Sequence, residues 1–366
     1  MKKVISAWHI CLDITPVFQA GKQADRLSSL LIPGKLIQVG AADVHTGGSV
    51  ANTGLALKLL GCDVTLLGKV GDDAFGMMVR NILAEYGAGG LLVDPESSTS
   101  YSVVLALPGM DRIFLHNPGA NDTFTGADIP ENVLEDAVLF HLGYPPLMRC
   151  LWENDGAELS LLFRRVREKG IATSLDLASV DPHSPAGHAD WEKILSNVLP
   201  FVDFFVPSFE ELCWMIDRER YNRLASTGLD MTAGLDMEAE ALPLAEKLLS
   251  MGCRIVMIKC GTSGILLRTA GEEAVSGIGS RLELNVDRWC NRLVFQPCFR
   301  ADIVRSTTGA GDTSIAAFLA AVLSGGDPEA CVALAGAEGA CCVTEYDALS
   351  GLKPLDELEE RIQRGW

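Results

Sequence analysis

Asp312 stands where a carboxylate could act as a base. It closes the run Gly309-Ala310-Gly311-Asp312 inside Ser306 to Ser314 (STTGAGDTS), ahead of a helical pattern formed by Ile315, Phe318, Leu319 and Val322. Small residues at the head of a helix let backbone N–H groups converge on one point, where the positive end of the helix dipole also lies. That arrangement binds anions. A carboxylate in this position can simply cap the helix, but phosphoryl transfer needs both features together: donors for the transferring oxygens and a base for the attacking hydroxyl. Asp312 is the candidate base, and Gly309, Ala310 and Gly311 the candidate anion hole.

A second segment, Gly47-Gly48-Ser49-Val50-Ala51-Asn52, opens a helix through Leu55 and Leu59 that stops at Gly61. Paired glycines permit close backbone approach to a ligand, and Asn52 can both donate to and accept from a polyol. A tight turn with a helix cap is the plainer alternative. The nucleophile elbow of a hydrolase is excluded, because G-x-S-x-G requires Gly where the chain has Ala51. No G-x-x-x-x-G-K-S/T is present, so ATP would not sit in a Walker A loop. The six histidines form no H-E-x-x-H, and His183 and His188 read as solvated. Arg112, on a hairpin turn, is a candidate for reaching a substrate, although a solvated charge is the commoner role for such a residue.

The elements that must position these residues alternate. Val64 to Leu67 reads as a strand and Asp73 to Tyr86 as a helix with Phe75, Met78, Val79, Ile82 and Leu83 inward. Leu159 to Lys169, basic at its end, precedes Gly170 and a strand at Ile171 to Leu175. Phe201 to Val206 and Arg254 to Ile258 are further strands. This repetition predicts an α/β fold, a mainly parallel sheet covered on both faces, with ligands beyond the strands' carboxyl ends. Thr15 to His45 and Ser100 to His116, the latter around Pro108-Gly109, read as hairpin material for a small separate sheet. The expected division is a core of residues 1–13, 46–93 and 125–366 and a β lid of residues 14–45 and 94–124. Arg218 to Glu240 and Asp181 to Asp190 read as surface insertions.

Charge and composition narrow the function. Against 30 Lys and Arg stand 48 Asp and Glu, a net charge of −18, and the one basic cluster is Arg164, Arg165, Arg167 and Lys169. Such a field opposes nucleic acid, and a small anion must be held by local N–H groups, a few cations or a metal. The start, Lys2 and Lys3 followed by Val4 to Leu12, has some look of a signal peptide, but His9 and Asp13 interrupt it, and it reads as a first strand. The longest uncharged apolar run, Thr313 to Gly326, is 14 residues, too short to span a bilayer. Eleven cysteines with no C-x-x-C pair suit neither zinc nor a secreted disulfide framework, so reduced thiols in a cytoplasm are expected.

Taken together, these residues resemble the ribokinase-like (PfkB) carbohydrate kinase family. Ser306 to Asp312 is similar to its D-T-T-G-A-G-D signature, and Gly47 to Asn52 to its GG-x-x-A-N signature, in the same order. Gly68 to Gly76 resembles a G-x-V-G-x-D-x-x-G stretch, Gly119-Ala120-Asn121 follows the second lid hairpin, and Lys259 to Gly264 resembles a nucleotide loop. The resemblance implies a three-layer sandwich with a small β lid, and an ATP- and Mg²⁺-dependent kinase acting on a hydroxyl of a small sugar. It assigns Asp312 as base and Asp13, Gly47, Gly48, Asn52 and Arg112 to the sugar. Ser208, Lys259, Gly261, Gly264 and Thr308 go to the nucleotide, and Glu211 to magnesium, through water. It further implies a homodimer through the lid.

Three departures accompany it. Ser208 replaces the Asn of the family's N-x-x-E, which bears on magnesium positioning, and Ala178 follows Asp176 where many sugar kinases carry Asn. Ser306 replaces an acid associated with a monovalent-cation site, so little activation by potassium is expected. A nucleoside kinase, and a binding or regulatory protein on a kinase fold, are the competing readings. Retention of Asp312, Gly309, Gly311 and Glu211 together favours catalysis.

Overall fold

The first strand stops earlier than its apolar run does. In the computed structural model, which describes residues 2–18, 31–107 and 113–366, Lys3–Trp8 is a central strand and Cys11–Pro16 belongs to a different sheet. Between them Trp8 takes the left-handed φ of 95°, an outlier for a bulky residue. Its indole Nε1 donates to the Phe124 carbonyl at 3.1 Å. The buried Asn121 carboxamide then clasps both backbone groups of Ile10, accepting from its N–H at 3.3 Å and donating to its carbonyl at 3.0 Å. The chain crosses from core to lid at Trp8–Ile10, so the boundary expected after residue 13 moves back and Asp13 is a lid residue. Thr46 and Gly47, assigned to the core, lie on the lid strand Ala42–Gly47.

Among the described residues the large sheet has nine strands, in spatial order Leu92–Asp94, Asp63–Gly71, Lys3–Trp8, Ala137–Gly143, Ala172–Leu175, Phe204–Phe205, Ile255–Lys259, Ile265–Thr269 and Leu293–Gln296. The first seven run parallel, Ile265–Thr269 runs antiparallel to them, and Leu293–Gln296 pairs antiparallel with Ile265–Thr269. Side chains of successive strand residues point to opposite faces. Ile5, Phe140, Phe205 and Val256 therefore pack on one face with the Arg149–Glu168, Trp191–Val198 and Phe209–Ile216 helices. Val4, Leu139, Phe204 and Ile255 pack on the other with the Ala310–Leu323 and Pro328–Cys342 helices. This double burial explains why the strands read as continuous apolar runs, and it gives the expected three layers.

Among the described residues the lid is a four-stranded sheet in the order Ala42–Gly47, Cys11–Pro16, Tyr101–Leu105, Ile113–Asn117. Its last two strands form the expected antiparallel hairpin, while Pro108-Gly109, Leu30 and Arg112 lie outside the described residues. Helix Ala74–Glu85 starts where read, with Asp73 accepting from the Gly76 N–H at 2.8 Å. Met78, expected inward, is exposed. The Arg218 to Glu240 segment is more than surface. It carries the helix Arg218–Ala225, and Thr232 is buried against the Gly261–Ser263 turn, with its carbonyl accepting from Ser263 Oγ at 2.6 Å.

Candidate active site

Because seven strands are parallel, their carboxyl ends share one edge of the sheet. Trp8, Gly143, Leu175, Phe205 and Lys259 end there, and the residues at or just beyond those ends assemble around the first turn of the Ala310–Leu323 helix.

Gly309 is the N-cap of that helix, with φ 77°. A Cβ there would come within 2.2 Å of the Ala348 Cβ, so glycine is required by both conformation and space. Asp312 is the third helical residue rather than the cap, and it is 5% exposed. Its carboxylate makes no capping bond. Oδ2 accepts from Asn52 Nδ2 at 3.0 Å and Oδ1 from Thr53 Oγ1 at 3.0 Å. The phenol of Tyr144 lies 2.8 Å from Oδ1 and 2.7 Å from Oδ2. Ala310 N–H reaches the Thr307 carbonyl at 3.4 Å. The N–H groups of Gly311 and Asp312 have no carbonyl four residues back within the helix and are the donors left for an anion.

Lys259, at the end of its strand, brings its ammonium into this turn: a Cβ on Gly311 would lie 3.5 Å from Nζ. Nζ donates to Asp176 Oδ1 at 2.8 Å. Burial by itself would lower the lysine, but Asp176, Glu211 and Asp312 outweigh it and hold the ammonium above its ordinary value. Burial raises the Asp176 carboxyl, Lys259 pulls it back, and Glu211 and Asp312 raise it further. One buried cation thus serves three carboxylates. Glu211 also closes a capping box: Oε2 accepts from the Ser208 N–H at 2.8 Å, and Ser208 Oγ from the Glu211 N–H at 3.3 Å. Ser208 fills the capping position of the missing Asn.

On the other side, Asp13, Asn52, Ser306 and Thr308 line one cavity of about 910 Å³, with Val104 and Phe114 of the lid among its walls. Asp13 is pushed up by burial and held back by hydrogen bonds from Cys11 and Ser102 and by His45. A Cβ on Gly47 would fall 2.1 Å from Asp13 Oδ2, so a larger residue there displaces the Asp13 carboxylate. Gly48, with φ 88°, presses on His9, whose Nδ1 a Cβ would meet at 2.4 Å. Ser306 Oγ donates to Thr308 Oγ1 at 2.9 Å and accepts from the Thr308 N–H at 3.1 Å. It organises the loop before the helix, where the family signature has an acid. Gly261 and Gly264 flank the short turn after Lys259, both with positive φ.

Three residues were missed. Thr53 adjoins a motif residue and was in plain view. Tyr144 and His9 follow strands that end at the ligand edge, a position that itself was a signal. Tyr144 has φ 68° and ψ 41°, a conformation costing on the order of 1–3 kcal/mol for a non-glycine residue. Burial first, then Asp312 and Asp176, raise its phenol well above the ordinary value, so it remains an O–H donor. Burial, then His116, lowers His9 well below its ordinary value; it is a neutral imidazole.

The described residues include no group of three or more His, Cys, Asp and Glu able to hold a metal alone. The Glu211 carboxylate, with one oxygen in the capping box, offers hard oxygen chemistry that suits Mg²⁺, an ion that keeps water and takes phosphate oxygens as ligands. No helix among the described residues is long and apolar enough to cross a membrane.

Comparison with known proteins places the chain in a family. An "Uncharacterized sugar kinase" of Archaeoglobus fulgidus is 26% identical over 306 residues, 81% of this chain and 98% of its own. An "ATP-dependent ribose-1-phosphate kinase" of Halopiger xanaduensis is 26% identical over 360 residues, covering 96% of this chain and 97% of that protein. Among solved structures, the Arabidopsis thaliana ribokinase complexed with ribose and ATP superposes with a TM-score of 0.70 at 20% identity, covering 98% of this chain and 97% of the other. The description "pfkB family carbohydrate kinase" matches residues 10–354. The chain therefore belongs to the pfkB family of carbohydrate kinases, phosphotransferases with an alcohol acceptor.

Proposed function

We propose that this sugar kinase transfers the γ-phosphoryl group of ATP to a hydroxyl, primary by preference, of a small sugar or sugar acid, with Asp312 as the base. The observation that carries the reading is the Asp312 carboxylate, held by Asn52 and Thr53 in the first turn of a helix beside the Lys259 ammonium. Asp312 takes the proton as the acceptor oxygen bonds to phosphorus, and the bond to ADP breaks with its electron pair leaving on the β-phosphate. The turn Gly309-Ala310-Gly311-Asp312 forms the anion hole, its free donors the Gly311 and Asp312 N–H groups, with Lys259 adding charge where water is excluded. Asp13, Gly47, Gly48 and Asn52 hold the sugar, with Arg112 reaching it from the lid hairpin. Ser208, Gly261, Gly264 and Thr308 contact the nucleotide. Glu211 would hold Mg²⁺ through water, and the ion when bound neutralises phosphate charge. Potassium is not required, because Ser306 turns its hydroxyl into its own loop. Eleven free thiols, most of them buried, suit the reducing cytoplasm, and the protein acts as a homodimer joined through the lid.

The test is ADP release over a panel of sugars, keto-deoxy acids and nucleosides with Mg-ATP. One acceptor class responds, and Asp312→Asn folds normally but loses roughly 1000-fold in kcat. A folded variant with near wild-type turnover removes Asp312 as base, and a response confined to nucleosides replaces the sugar reading.

A further inference from the structure

The third donor on Asp312 has no place in the motif. Asn52 and Thr53, on the Ser49–Leu59 helix, already supply one donor to each carboxylate oxygen. The Tyr144 phenol lies across both oxygens at 2.8 and 2.7 Å. An acceptor hydroxyl must occupy a similar position to hand its proton to this base, its oxygen within hydrogen-bonding reach of the carboxylate. Tyr144 therefore stands where a substrate hydroxyl has to go.

The backbone marks Tyr144 as the donor that can leave. Asn52 and Thr53 are fixed in the body of a helix, whereas Tyr144 sits on the turn after Ala137–Gly143 in a left-handed conformation, directly before Pro145. Proline disfavours helical conformations in the residue preceding it, which adds to the strain. A destination for the phenol is at hand. The His9 ring lies 5.5 Å from the Tyr144 ring, centre to centre, and both His9 nitrogens are buried without a hydrogen-bond partner. A neutral imidazole has one nitrogen free to accept an O–H.

We infer that Tyr144 is a positioning residue that holds the acceptor's place on Asp312 in the free protein and yields it to the substrate hydroxyl, passing its own O–H to His9. The inference rests on Asp312 being the base. It makes acceptor binding an exchange of one hydrogen bond for another, and it keeps the buried carboxylate partnered before substrate arrives.

Two measurements test it. In Tyr144→Phe the hydroxyl has no competitor, so KM for the acceptor falls several-fold and the change is carried by KM rather than kcat. In wild-type protein carrying ¹³Cζ-tyrosine, the Tyr144 resonance is the one that moves in Asp312→Asn. Adding D-ribose, D-fructose or adenosine without ATP shifts it when that compound is an acceptor, and this arm needs no Tyr144 variant to fold. A higher KM in Tyr144→Phe means that the phenol binds substrate instead of yielding, and overturns the inference. So does a Tyr144 resonance that stays still under an acceptor the enzyme turns over. Absence of turnover with every acceptor class is a different result: it overturns the kinase reading, and this inference with it.

Discussion

Asp312 and Glu338 are both buried carboxylates on neighbouring helices, and they differ in how they are satisfied. Asp312 receives three donors. Glu338, wholly buried, accepts one hydrogen bond, from the Lys353 N–H at 2.9 Å, and its Oε2 is buried without a partner. Burial raises Glu338 from 4.5 to about 7, against the pull of Lys353. A folded value above the unfolded one means that stability is fully present below about pH 4.5 and is lost as pH rises through 7. Glu338→Gln removes that dependence. Thermal unfolding should show the variant gaining on wild type by about 2–3 kcal/mol between pH 5 and pH 8; a constant difference across that range contradicts the assignment.

At the scale of elements, the segment to watch is the crossing from core strand to lid strand at Trp8–Ile10. It carries the left-handed Trp8, both backbone bonds of Ile10 to Asn121, and the His9 carbonyl that accepts from the Val50 N–H at 3.0 Å. Asp13 and the Gly47-Gly48 pair meet just beyond it, so this crossing sets the lid side of the cavity, where the proposed function places the sugar. Asn121→Ala leaves an N–H and a carbonyl of buried Ile10 without partners, a loss of about 2–4 kcal/mol. Denaturant unfolding should show that loss, and the acceptor KM should rise more than the ATP KM, because the lid hinge moves while the Lys259 side stays. Equal changes in both would place Asn121 in general stability alone.

For the molecule as a whole, the lid is a sheet with end strands Ala42–Gly47 and Ile113–Asn117 and large apolar residues on its surface, Leu115 at 55% exposure among them. An exposed apolar strand at a sheet edge is normally covered. A chain of charge −18 resists non-specific association, so a contact there needs a specific apolar face. Light scattering at micromolar concentration should give about twice 39.2 kDa, and Leu115→Asp should shift the mass toward the monomer. A wild-type mass equal to one chain removes the dimer.

What the sequence by itself determined is what is written locally. Asp312 and its glycines, the Gly47 to Asn52 run, and Lys259 with its glycine loop are contiguous motifs, and alternating strands and helices dictate a covered parallel sheet whose carboxyl ends form the ligand edge. The tertiary structure decided what depends on distance along the chain. Tyr144 meets Asp312 across 168 residues, Lys259 meets Asp176 across 83, and Asn121 grips Ile10 across 111. None of these pairs carries a local pattern, because a side-chain hydrogen bond depends on where two backbones arrive in space. The same holds for the break at Trp8: the run Val4 to Leu12 is apolar throughout apart from Ser6 and His9, and only the packing of two sheets shows which residue leaves one and joins the other.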